Sequence, residues 1–192
     1  MLHLLCLNFL WDLSMTLLTS ELTFPATATV CAVVGSVFDV KSRRIPNFVT
    51  APALLLGLFM HLALGGWGQL LSSLAAGLIC GLIFLVFYLA GGMGAGDVKL
   101  IFAVGCIAGL SHIAYLLVLT AISGGIMAIG LALVRGRLKQ TFMNVAVLTS
   151  HHTTEGLTPH PELNIANAHT LRLPYALAIA SGMILTLYLQ AI

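Results

Sequence analysis

Only six residues of this chain are acidic, and two of them, Asp39 and Asp97, stand where a carboxylate is least expected. Each lies at the edge of a long apolar run, and an ionisable side chain at membrane depth is costly enough that it usually marks function. The other four, Asp12, Glu21, Glu155 and Glu162, belong to the N-terminal segment or to polar sequence further on. Two carboxylates brought close cannot both ionise cheaply, so one keeps its proton while the other stays charged. Such a pair is sufficient for peptide hydrolysis. The ionised member takes a proton from a water attacking the scissile carbonyl, and the protonated member hydrogen-bonds the carbonyl oxygen as negative charge develops there. Neither a metal nor a nucleophilic side chain is needed. Taken singly, each carboxylate equally suits a helix cap or a headgroup-level partner for a cation, since Lys41 and Lys99 each follow an aspartate by two residues.

The flanking residues sharpen the choice. Asp97 ends the run Gly91, Gly92, Met93, Gly94, Ala95, Gly96 and is followed by Val98 and Lys99. Glycine permits φ > 0 and close approach of a second backbone, so Gly94 and Gly96 suit a site that admits an extended peptide. A turn of small residues between packed membrane helices explains the run as well. Lys99 has three readings: it holds the Asp97 carboxylate ionised, it meets an acidic group of a substrate, or it snorkels to the interface. Asp39 opens a stretch containing Lys41, Arg43, Arg44, Ile45, Pro46 and Asn47. Its cations can face lipid phosphates, and Pro46 suits the first turn of the next helix, where its missing N–H is not needed.

The elements that must carry these residues follow from composition. Of 192 residues, 59% are hydrophobic and 7% charged, with mean hydropathy +1.06, against roughly a quarter charged in a soluble domain. At about 20 apolar residues per crossing, the chain reads as an all-α polytopic membrane protein of about six transmembrane helices. The candidate spans are 22–40, 48–64, 70–90, 98–110, 113–134 and 174–192. Residues 1–21 form a separate apolar segment. It lacks a basic start and carries Asp12, which favours an interfacial helix over a cleaved signal. Residues 22–192 are then one membrane domain, with 135–172 as a polar extramembrane loop.

All eight basic residues fall on one side of this arrangement, which under the positive-inside rule is the cytoplasm, with both termini outside. A net charge of +2, spread so thinly, makes no basic patch, and no nucleic acid partner is expected. The four cysteines form no CxxC pair and read as small core residues. His151, His152, His160 and His169 share the polar loop with Glu155 and Glu162 at no metal-site spacing, so no metal or other cofactor is expected. His61, His112, Trp67 and Tyr115 are expected at the opposite interface, where half-polar rings belong.

Together these stretches resemble the type IV prepilin peptidase family. The likeness rests on Asp39 at the end of an early span followed by the basic Ile45, Pro46, Asn47 turn, then on Gly94, Ala95, Gly96, Asp97 as a GxGD motif with trailing Lys99. A third match is Arg172, Leu173, Pro174, Tyr175, Ala176 and the small residues through Gly182. It spans about 30–182. GxGD also occurs in presenilin-like and signal-peptide-peptidase proteases, but the paired motifs, in this order and in so short a chain, are more specific. The resemblance implies a GxGD-type aspartic endopeptidase of the cell inner membrane that cuts the leader from prepilin or pseudopilin precursors. Asp39 and Asp97 would be its dyad on the cytoplasmic face, and Gly94, Gly96, Lys99, Arg43, Arg44 and Pro46 would support the site or contact substrate. Longer members also N-methylate the product and carry an N-terminal cytoplasmic insertion with CxxC pairs. None is found here before Asp39, so the expected form is the short, peptidase-only one similar to those of Flp/Tad-type pilus systems. Two alternatives come from other classes. A proton-relay transporter would want ionisable groups at several depths, and a non-catalytic pilus or secretion assembly factor would not need both aspartates.

Overall fold

Apolar sequence at bilayer depth must satisfy its own backbone polar groups, which favours helix throughout. The structure, a computed structural model, describes the backbone of residues 2–156, 158 and 174–191. Six helices make up the described fold: α1 (Leu2–Ser42), α2 (Asn47–Leu89), α3 (Ala95–Ala108), α4 (Ile113–Val134), α5 (Leu138–Glu155) and α6 (Tyr175–Ala191). The segments Leu22–Ser42, Asn47–Leu89 and Ile113–Val134 are long and apolar enough to cross a membrane, and α6 carries a shorter apolar stretch.

The long α2 is interrupted at Gly66, whose φ of 66° and ψ of −162° are not helical. Its two halves flank α3 in opposite directions. Gly57 and His61 of the first half meet Ile107, while Ser73 and Gly77 of the second meet Cys106, and Gly81 returns to Phe102. α2 is thus a helical hairpin, matching the expected spans 48–64 and 70–90. α4 runs antiparallel to α6, with Thr120 against Gly182 and Gly124 against Ala178. α1 leans on both α3 and α6, through Leu100 against Gly35 and Thr29 beside Met183.

The short α3 is the centre of the bundle. Leu100, Ile101, Val104, Cys106 and Ile107 are fully buried. Small residues let the neighbours close in: Gly77 and Gly81, four apart on the second half of α2, lie where any Cβ would strike Cys106 or Phe102. Large apolar side chains such as Leu55, Phe59, Leu71, Ile126 and Leu133 point outward, as expected of a surface solvated by lipid.

One expectation is corrected. Residues 135–172 do not form a single polar loop, because Leu138–Glu155 is helical. No glycine or proline interrupts that stretch, and Gly136 and Gly156, at φ 63° and 73°, bound it on either side. Polarity argued for a loop, but backbone preference allowed a helix. Residues 157 and 159–172, with His160, Glu162, His169 and Arg172, lie outside the described residues, as do the side chains of residues 1–21.

Candidate active site

The turn that follows α1 is built from its own backbone. The Arg43 N–H donates to the Asp39 carbonyl at 2.7 Å, and Arg43 takes φ 52°, a left-handed conformation that glycine usually occupies at a helix end. Ser42 Oγ holds the same turn through the Phe38 and Arg44 carbonyls. Asp39, one turn back from this stop, is half-buried, and the Arg43 guanidinium acts on it electrostatically. Pro46 has extended backbone and stands at the N-cap of α2, one position ahead of the expected first turn. Arg44 is exposed.

Asp97 lies in the first turn of α3 and is 8% exposed. Its Oδ2 accepts the Gly94 N–H at 3.2 Å, half of a capping box whose other half a glycine cannot supply. Its Oδ1 is buried without a hydrogen-bond partner. The Ala176 N–H, at the start of α6, is near enough to favour the charged carboxylate but does not satisfy Oδ1. Asp97 precedes the apolar run 98–110 and so stands outside the membrane-spanning segments. Burial first, and the like charge of Asp39 second, push its carboxyl up to about 6, with the Gly94 and Ala176 N–H groups pulling more weakly the other way.

The two aspartates are therefore brought within electrostatic reach of one another, on elements 58 positions apart in sequence. The turns beside them interlock. Ile45, buried, packs on Gly96, where an added Cβ would lie 3.2 Å from its side chain, and Lys99 Nζ donates to Asn47 Oδ1 at 3.0 Å. Gly96 is thus filled by this chain's own Ile45. Gly94 has ordinary extended backbone, and the left-handed glycine of the run is Gly91 at φ 77°. Lys99 reaches Asn47 on α2 and makes no ion pair with Asp97.

Residue reading missed Tyr175 and Ala176 as neighbours of Asp97. The sequence marks them only as part of the last helix, although Pro174 before Tyr175 is the mark of a helix start. His61 lies at the expected end of the bundle, but buried against the end of α3 rather than at the surface. It is 5% exposed, stacks on Phe24 with ring centroids 4.1 Å apart, and donates Nε2–H to the Ile107 carbonyl at 3.1 Å. Ser73 Oγ donates to the Cys106 carbonyl and His112 Nδ1 to that of Ala108, each at 2.7 Å. Three successive carbonyls that the end of a helix leaves unpaired are therefore taken up by side chains from three segments. Among the described residues no group of three or more His, Cys, Asp or Glu side chains could hold a metal ion.

The sequence profile described as the type IV leader peptidase family matches residues 26–129, a stretch that contains both aspartates, the basic turn and α3. No curated protein and no solved structure matches the chain.

Proposed function

This chain belongs to the type IV leader peptidase family, and from that premise we propose that it is a membrane-embedded aspartic endopeptidase with Asp39 and Asp97 as its dyad. Its substrate is the leader of a type IV prepilin-like or pseudopilin precursor, cut at the cytoplasmic face of the inner membrane. The observation that carries this reading is Asp97: a buried carboxyl with an unpartnered oxygen, raised toward 6 and facing the charge of a second aspartate. A buried polar atom without a partner costs about 1–3 kcal/mol, and it persists where function needs the group.

In the proposed reaction Asp97, the more buried carboxyl, carries the proton and Asp39 is ionised. A water held between them attacks the scissile carbonyl carbon and passes its proton to Asp39. Asp97 donates to the carbonyl oxygen as it becomes tetrahedral. Collapse breaks the C–N bond, the leaving amine takes the proton from Asp39, and Asp97 recovers its own. The positive charge of Arg43 lies within electrostatic reach of Asp39. Ile45 on Gly96, and Lys99 on Asn47, fix the turn that carries one aspartate against the helix that carries the other. On this reading Arg44 faces lipid phosphate.

Asp39→Asn and Asp97→Asn each keep size and most hydrogen bonding but remove a titrating group. Each is expected to abolish leader removal from a co-expressed prepilin, a loss of at least about a hundredfold, while the protein still inserts in the membrane. Processing at near wild-type rate by either folded variant would refute the dyad.

A further inference from the structure

On the side of α3 away from the aspartates there is a concavity. The two halves of α2 and the start of α3 enclose a groove of about 560 Å³, within the range of roughly 300–1,000 Å³ of small-ligand sites. Its walls include Leu54, Leu78, Leu82 and Phe102, and Asn47 and Lys99 stand at one end. At about 100° per residue, Lys99 projects roughly 200° around α3 from Asp97. The contacts agree: Asp97 faces α1 and α6, through Asp39 and Ala176, whereas Lys99 reaches Asn47 of α2.

We propose that this groove binds an anionic phospholipid of the surrounding bilayer, with its phosphate on Lys99 and an acyl chain along the apolar walls. Two observations select that occupant. The polarity runs in one direction: Asn47 and Lys99 lie beside the turn bearing Arg43 and Arg44, and from Asn47 to Leu54 the wall descends about 10 Å into apolar residues. That is the profile of a bilayer lipid standing in its own leaflet. The cation is also uncompensated, because among the described residues Lys99 has no carboxylate partner and donates to the neutral Asn47 amide. A substrate helix seated there would have α3 between itself and the Asp97 carboxylate, which argues against it as the occupant.

Native mass spectrometry of the purified full chain, from micelles holding equal phosphatidylglycerol and phosphatidylcholine with the same acyl chains, tests the site without reading cleavage. Its failure is therefore distinct from a failure of the dyad. The wild type is expected to retain phosphatidylglycerol about fivefold over phosphatidylcholine, the factor that roughly 1 kcal/mol per basic residue at an anionic surface gives. Lys99→Gln should abolish the preference, and Lys99→Arg and Lys139→Gln should keep it. Equal retention by the wild type, a preference that survives Lys99→Gln, or one lost in Lys139→Gln would each overturn the proposal. So would a photo-reactive residue in place of Leu82 that captured a prepilin-type peptide and no lipid.

Discussion

In the proposed reaction Asp97 is the residue on which the chemistry turns, and its titration can be followed directly because the chain has only three aspartates, Asp12, Asp39 and Asp97. The ¹³C carboxyl signal of Asp97 should titrate near 6, above the usual carboxylate range. In Asp39→Asn the like charge is gone, so the midpoint should fall. Because burial is the larger cause, it should still stay above the ordinary value. A midpoint unchanged by Asp39→Asn would separate the two carboxylates. The sign for stability follows from the same shift. The folded carboxyl holds its proton more tightly than the unfolded one, so its contribution is fully present below about 4 and is lost as pH rises through about 6. Asp97→Asn should therefore gain on the wild type in stability across that interval, an outcome that thermal melts at several pH values would check.

Helix α3 positions Asp97, and both of its ends are tied to other elements. At the start Ile45 packs on Gly96; at the far end Ser73, His61 and His112 take up the Cys106, Ile107 and Ala108 carbonyls. Between them, the second half of α2 lies against α3 at Gly77 and Gly81. A Cβ on Gly77 would strike Cys106 Sγ and lie 2.9 Å from the Phe102 carbonyl oxygen, which is backbone and cannot step aside. Gly77→Ala should accordingly cost about 1–3 kcal/mol, the usual range for overpacking. Gly125→Ala, where nothing lies within 4 Å, should be close to neutral. Denaturation of both variants in mixed micelles would compare them, and equal stabilities would mean that α2 and α3 are less closely packed than described.

At the scale of the whole bundle, the helix directions sort the connections into two ends. Asp39, the basic turn, Asp97, the end of α4 and the start of α6 lie at one end, and the Gly66 bend and the Ser111, His112 turn lie at the other. Reporters fused after Asn47 and after Gly136 should therefore report the same side of the membrane, the cytoplasm by the positive-inside rule. Reporters fused after Gly66 and after Ser111 should report the opposite side. Agreement among all four positions would mean that the chain does not cross between them.

Composition and residue order by themselves determined that this is an all-helical membrane protein, because 7% charge and long apolar runs leave the chain no way to be soluble. They also singled out Asp39 and Asp97, since a carboxylate beside such runs is rare, and the spans 48–64 and 70–90 left between them the break in which α2 bends at Gly66. What remained open was everything that depends on which face of a helix meets which neighbour. Lys99 is two residues from Asp97 in sequence, but helical rotation turns it to the other side of α3. His61 looked like an interfacial ring until the end of α3 was brought against it. Tyr175 and Ala176 approach Asp97 across 78 positions or more of intervening chain. Periodicity and residue type describe a helix along its own axis; only packing of one helix on another decides which side chains share a site.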